Sequence, residues 1–514
     1  SKSSSPSKSD PILKMVDIDG DDDLDVLYGA NSSGTTLLQF DGTRLVENSN
    51  NQYSRIVNIA SISDIQASDI NGDGIQDIWI SETNGSANMM ISDSINAFRR
   101  ISGLNNYSLY EAKSKIVDIN NDGKKEIISL GLSSITESSK LMLLVAELGF
   151  TDEIIGVEIS ENYLADTAFF DNGVIDTIAF TTVYDTVYIY ESVSGLIITD
   201  QSSQITNLTA SSYDFADYDL DQDVDLLITG FNPSTGLETV LYDNETPEGE
   251  ELTLTNSNNN FVSARDGTTD FIDFDSDGDL DVVFTGTSAV GDIFEIYINK
   301  INEGITQWPR IETNISGIRN SMIDLGDFNG DGYTDIVYSG TKAGVGEITE
   351  LAEYNPQTGQ YVASNFDIGN IIKASVEFGD IDGDGDLDLC IAGEDKTSSS
   401  AVFKTYRNYR NESAAISSAA SGSPAMVSPS STNASYVINV APSKPTGLTA
   451  TASSTNERQV AEFAWEAARD DHTPAAGLTY ALRVGTTSRG EDILSSDASL
   501  KGVRKSASKG NAGH

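Results

Sequence analysis

One nine-residue pattern recurs along most of this chain, and it restricts the fold more than any other feature. D-I-D-G-D-D-D-L-D begins at Asp17, D-I-N-G-D-G-I-Q-D at Asp69 and D-I-N-N-D-G-K-K-E at Asp118. D-Y-D-L-D-Q-D-V-D begins at Asp217, D-F-D-S-D-G-D-L-D at Asp273, D-F-N-G-D-G-Y-T-D at Asp327 and D-I-D-G-D-G-D-L-D at Asp380. An eroded copy, A-F-F-D-N-G-V-I-D, starts at Ala168, so successive starts lie 49 to 56 residues apart. A period of this size implies a row or ring of equal supersecondary units.

The flanks give each unit its secondary structure. Position 2 is always apolar (Ile18, Ile70, Ile119, Phe169, Tyr218, Phe274, Phe328, Ile381), and position 9 is followed by a short β-rich run such as VLY, IWI or VVF. A glycine usually closes that run: Gly29, Gly131, Gly230, Gly286, Gly340 or Gly393. Apolar runs bounded by Gly, Asn and Asp read as strands, so the pattern is the loop of a strand-loop-strand hairpin. Further strand-like pieces (TTLLQF, ETVLYDN, IFEIYIN, AVFKTYRN) bring each unit to three or four strands, and no convincing amphipathic helix intervenes. The fold class expected is all-β: a β-propeller of about eight blades, with seven as the alternative.

Oxygens at positions 1, 3, 5 and 9, with glycine often at 6, are the spacing of a loop wrapped round a hard cation. Calcium takes about six to eight oxygen ligands at roughly 2.3–2.6 Å, and magnesium, which demands tighter octahedral geometry, fits less well. Glycine at position 6 lets the backbone turn where a Cβ would clash. The candidate calcium ligands are Asp17, Asp19, Asp21 and Asp25; Asp69, Asn71, Asp73 and Asp77; and Asp118, Asn120, Asp122 and Glu126. They continue with Asp217, Asp219, Asp221 and Asp225; Asp273, Asp275, Asp277 and Asp281; Asp327, Asn329, Asp331 and Asp335; and Asp380, Asp382, Asp384 and Asp388. About seven structural Ca2+ sites are expected, with none at Ala168, where Ala168 and Phe170 replace oxygen ligands. An EF-hand needs Glu at position 12 and flanking helices. Position 12 is here Tyr28, Ile80, Ser129, Ile228, Phe284, Tyr338 or Ile391. The same residues also make ordinary Asx turns, but seven copies that all keep the position-9 acid would then pack mutually repelling carboxylates for no purpose.

These loops, each followed by a β run and a glycine, resemble FG-GAP/VCBS repeats, the blades of integrin α-subunit propellers and of many bacterial surface and secreted proteins. The resemblance covers residues 10–411. It implies that the loops hold calcium structurally on one face of the disc, and that ligands bind at the opposite face or along the channel. Integrin heads have seven blades, whereas eight copies here imply eight. The last unit shows a second strand at 387–392 and a third at 401–408, and its fourth strand would come from upstream of residue 10 or from SYVINV near 435–440.

Residues 412–440 are rich in Ser and Ala and read as a linker or closing strand. Residues 441–514 resemble a partial fibronectin type III domain, with strands around Leu448, Trp465 and Tyr480; DDHTPAAGLTYALRVGTT is similar to the variant found beside such propellers in secreted Bacteroidetes proteins. A complete sandwich needs roughly 100 residues, so the expectation is an incomplete domain in a chain that continues, with type IX secretion machinery as a partner implied by the resemblance. SKSSSPSKSD reads as the polar start of a processed chain.

Composition narrows the chemistry. Seventy-nine acidic residues against 31 basic ones give a net charge of −48, which excludes nucleic-acid binding by phosphate neutralisation and disfavours anionic membranes. No run approaches the roughly 20 apolar residues of a membrane-spanning helix. The two histidines, His472 and His514, lie near the C-terminus, and the one cysteine, Cys390, falls in a predicted strand. The repeat body therefore lacks a Ser-His-Asp triad, a Cys-His dyad or a disulfide framework. The reading is non-enzymatic: an extracellular or cell-surface recognition module for glycans or another surface protein, since extracellular calcium suits modules of millimolar affinity. A passive spacer or secretion cargo is the alternative. Spare acids (Glu161, Glu238, Glu353) fit no glycosidase motif, and loop aromatics (Tyr53, Tyr107, Trp308, Tyr361) are candidates for sugar stacking.

Overall fold

The computed structural model describes residues 12–19, 21, 23–30, 34–40, 45–47, 59, 61–70, 75–94, 97–100, 109–117, 126–132, 141–147, 154–159, 164–171, 176–182, 187–193, 197–200, 202–219, 221, 224–246, 252–257, 259–275, 279–301, 304–331, 333–364, 368–369, 371–382, 386–399, 401–408, 443–454, 459–469, 480 and 482–484. Among these, every element is a strand except the 3-10 turn Ser202–Gln204.

Each sequence repeat is one antiparallel meander, its first and second strands joined by the nine-residue loop. In the first unit Ile12–Val16, Asp25–Ala30, Gly34–Phe40 and Leu45–Glu47 follow in spatial order. Four-stranded sheets of the same order begin at Ile62–Ser68, Tyr110–Val117, Leu164–Asp171 and Thr209–Ala216. Units six and seven, which open with Thr269–Ile272 and Ile318–Gly326, share one sheet through the pairing of Ile293 with Ile318. Unit eight shows three strands among the described residues: Ile371–Gly379, Asp388–Asp395 and Ala401–Tyr406. The segments proposed for its fourth strand and the linker 412–440 lie outside the described residues.

Hydrophobic burial sets the sheets face to face. Val16, Ile18, Leu27 and Leu37 of unit one pack with Ile62, Ile65, Ile78 and Met90 of unit two, and Phe328, Val337 and Leu351 of unit seven pack with Val376, Leu389 and Ile391 of unit eight. A sheet covered on both faces needs apolar residues on both sides of its strands, which is why the second strands are apolar runs rather than alternations; Asp225–Asn232 buries its first six residues in succession. The last sheet meets the first: Leu13, Met15, Leu24 and Val26 share a cluster with Ile381 and Cys390, and Tyr28 stacks on Phe403 at 4.4 Å. Cys390 is fully buried there.

Polar contacts repeat the same neighbour order. An acid on the first strand of one unit accepts a backbone N–H from the first strand of the next: Asp64 from Ser114 at 2.7 Å, Asp214 from Phe271 at 2.7 Å, Asp324 from Phe378, and Glu377 from Met15. The last of these joins unit eight to unit one. A hydroxyl four residues after the position-9 acid adds a second link. Thr229 Oγ1 accepts from Ala264 N, Thr285 Oγ1 bonds Ser321 Oγ at 2.6 Å, and Ser339 Oγ accepts from Ala374 N. The glycine that ends the second-strand apolar run has a steric cause. A Cβ on Gly286, at φ +125°, would lie 2.6 Å from Arg265 O, and one on Gly393 would lie 2.6 Å from Ile371 Cγ2. In both places the start of the neighbouring first strand crosses too closely for a side chain.

Among its described residues the C-terminal part contributes one antiparallel pair, Thr446–Ser454 with Gln459–Glu466. Trp465 meets Tyr480 edge to face at 5.3 Å, while Leu448 is exposed.

Candidate metal centres

Each loop leaves the first strand at position 1 and enters the second at position 9. The position-9 aspartates Asp25, Asp77, Asp225, Asp281, Asp335 and Asp388 are buried to within 1%. They act as staples. One carboxylate oxygen accepts the position-2 N–H: Ile18 to Asp25 at 3.1 Å, Ile70 to Asp77 at 2.9 Å, Tyr218 to Asp225 at 3.1 Å, Phe274 to Asp281 at 2.8 Å and Ile381 to Asp388 at 2.9 Å. In the Asp327 loop the donor is Asn329 N. The other oxygen accepts an N–H from the end of the third strand: Phe40, Asn244, Asn299, Tyr354 or Asn408. The sequence reading gave this acid only a ligand's role. Each oxygen retains a second lone pair for a cation, so one residue both folds the loop and faces its centre.

Positions 1, 3 and 9 converge. One ligand atom from each of Asp17, Asp19 and Asp25 lies within 4.8 Å of the others, and the same holds for Asp217, Asp219 and Asp225, for Asp273, Asp275 and Asp281, and for Asp380, Asp382 and Asp388. Two oxygens bound to one calcium are separated by at most about twice the metal–oxygen distance, roughly 5 Å, so each set can share one ion. Position 5 is different: Asp21 and Asp221 are exposed, and Asp221 N and Asp331 N donate to Asp217 and Asp327 in tight turns. Asn71, Asp73, Asp118, Asn120, Asp122, Asp277 and Asp384 lie outside the described residues, as does the side chain of Glu126.

Whether these residues suit a cation is tested by their unpaired atoms. Asp19 Oδ1, Asp219 Oδ1, Asn329 Oδ1 and Asp382 Oδ1 are buried without a hydrogen-bond partner. All four are acceptors, and all four stand at position 3 of different loops. Leaving one buried acceptor unmet costs about 1–3 kcal/mol, and the same omission four times at one position is one that a cation would relieve. Asp23 Oδ1, at position 7, is a fifth such atom. Position 7 also carries the buried Asp279 and Asp386, a side-chain contribution outside the expected positions 1, 3, 5 and 9. The signal was present in the acids of DDDLD and DGDLD.

The electrostatics agree. Burial first, then the charge of Asp21, pushes Asp19 up to about 6, and the same causes push Asp23 up to about 8. Burial raises Asp225, Asp281 and Asp388 to about 8 and Asp25 and Asp335 well above the carboxylate range. The loops concentrate acids that resist ionising unless a cation neutralises them.

The eroded copy has a different backbone. Its first strand runs on through Ala168, Phe169, Phe170 and Asp171, and Asp171 pairs with Asp176. Where ligands are missing at positions 1 and 3, the ladder continues through residues that elsewhere leave the strand. Of the aromatic candidates, Trp308 and Tyr361 are buried packing residues, 5% and 3% exposed, and do not offer a stacking surface. Tyr53 and Tyr107 lie outside the described residues. Glu238 and Glu353 are engaged by Asn232 and Ser364.

The FG-GAP-like repeat family matches residues 273–338, from the sixth loop into the second strand of unit seven. No curated protein matches the chain. Among solved structures, the BP39L lectin from Burkholderia pseudomallei is similar over 71% of this chain and 95% of its own, at 9% identity and a TM-score of 0.37. The WD40 domain of SCAP from fission yeast is similar over 75% of this chain and 94% of its own, at 11% identity and a TM-score of 0.38. The repeat match and the succession of sheets make this chain a repeat β-propeller.

Proposed function

We propose that the chain is an extracellular recognition module: an eight-bladed propeller whose loops hold structural calcium and whose opposite face binds a glycan or another surface protein. The observation that carries the calcium reading is the unpartnered acceptor at position 3 in four loops. Calcium would supply charge neutralisation and a fixed centre. The chain's own residues do the rest: the position-9 acids fasten the loop to its sheet, and the position-2 side chains Ile18, Tyr218, Phe274, Phe328 and Ile381 anchor it in the core. A count of eight blades is supported by the N–H-to-acid link from unit eight back to unit one and by Leu24 N, which donates to Ile381 O at 3.0 Å.

Recognition rather than catalysis follows from the assignment of the acids. A metal-held carboxylate stays ionised and cannot act as a general acid, and the repeat body has no histidine. The C-terminal strand pair would be the start of a fibronectin type III-like sandwich that continues the extracellular chain. A screen of the calcium-loaded chain against a glycan array, with a reducing-sugar assay on the same ligands, tests the reading. Calcium-dependent binding without turnover is expected; release of sugar ends would overturn it in favour of an enzyme.

A further inference from the structure

Opposite each position-9 acid, on the third strand, stands one residue whose chemistry changes from unit to unit. The ladders fix the position: Val26 pairs with Leu38, Leu226 with Tyr242 and Leu389 with Tyr406, so the next residues along face Asp25, Asp225 and Asp388. They are Gln39, Asp243 and Arg407. Cross-strand neighbours share a face of the sheet, and these side chains therefore reach the loop centre beside position 3.

The three contacts differ in charge. Gln39 Nε2 donates to Asp19 Oδ2 at 2.9 Å. Arg407 Nη2 pairs with Asp382 Oδ2, and its guanidinium is held there, 8% exposed, with its carbon 5.0 Å from the centroid of the Phe40 ring in unit one. Asp243 brings a further carboxylate near Asp219. It is fixed by the hydroxyl of Tyr218, which donates to Asp243 Oδ1 at 2.5 Å. Position 2 is tyrosine only in this copy; elsewhere it is Ile or Phe. A neutral donor, a cation and an anion thus occupy one structural position.

Building on the calcium reading above, we propose that this cross-strand residue grades the loops by cation affinity. Arg407 is a tethered competitor that makes the Asp380 loop the weakest site. Asp243 adds negative charge that makes the Asp217 loop the tightest of these three, and Gln39 leaves the Asp17 loop between them. The gradient places the weakest ion at the seam between units eight and one, where the buried Arg407–Asp382 pair and the Phe40 contact supply a link that needs no metal.

Calcium titration of the full chain, by calorimetry with chelator competition, tests the proposal in Arg407→Met, Arg407→Lys and Asp243→Asn. Arg407→Met is expected to tighten the weakest site by about tenfold, the order that one unit charge near a divalent ion is worth in high dielectric. Arg407→Lys should restore the parent affinity. Asp243→Asn should weaken the Asp217 site by a similar factor. Opposite shifts from two residues at one structural position are not the signature of general destabilisation. Unchanged affinities, or a loss in Arg407→Met, would overturn the proposal while leaving calcium binding in place. Should Arg407→Met not fold, the Asp243→Asn titration decides. A parent chain that binds no calcium would overturn this proposal and the reading it rests on together.

Discussion

Replacing Asp281 separates the two roles assigned to a position-9 acid. Its oxygens accept Phe274 N at 2.8 Å and Asn299 N at 2.7 Å, and the side chain is fully buried. Asp281→Ala leaves two buried N–H groups without partners. A buried N–H left without an acceptor costs about 1–3 kcal/mol, so two of them cost roughly 2–6 kcal/mol. With about 2 cal/mol/K of unfolding entropy per residue, a cooperative body of about 400 residues would melt about 5 °C lower. Asp281→Asn keeps one acceptor and should lose roughly half as much. The assay is differential scanning calorimetry with calcium and with EGTA. A pure ligand would matter only with calcium; the staple predicts that most of the loss persists in EGTA. Equal melting of parent and Asp281→Ala in EGTA would refute the staple.

Three further outcomes follow from the same geometry. In EGTA the carboxyls of Asp225, Asp281 and Asp388 are raised to about 8 by burial against about 3.9 in the unfolded chain. The folded state then binds more protons, so stability should fall as pH rises from about 4 to 8. Saturating calcium should remove that fall, and a melt that rises with pH in EGTA would contradict the reasoning. Asn408→Ala removes an amide that donates to Phe328 O of the preceding unit at 2.8 Å and to Leu387 O of its own, and should cost about 2 kcal/mol by calorimetry. Asp382→Ala should reduce the number of bound calcium ions by one in equilibrium dialysis, whereas Asp171→Ala, in the eroded copy, should leave it unchanged.

Local features of the fold could be read directly from the chain. The period, the apolar position 2 and the β run after position 9 each report a contact within about ten residues, and the strands follow from them. The third strand of unit eight, anticipated at 401–408, runs from Ala401 to Tyr406. What the pattern hid depends on residues far apart in sequence. Asp25 meets Phe40 N, and Asn299 Nδ2 meets Tyr218 O across 81 positions; nothing local to either residue announces its partner. Asp64, Asp214, Asp324 and Glu377 look like surface acids on alternating strands, and only the approach of the next sheet turns them into inter-unit acceptors. Trp308 and Tyr361 failed as ligand candidates for the same reason, because neighbouring sheets bury them. Gln39, Asp243 and Arg407 carry no motif, and only the cross-strand register brings them together.

Whether cations complete these loops is decided by the calcium content of the purified chain together with its melting temperature before and after EGTA. Several bound calcium ions per chain are expected, none held by the Ala168 copy, with a melting temperature that drops on chelation and recovers when calcium is restored. A chain that carries no calcium and melts at the same temperature in EGTA would contradict that expectation.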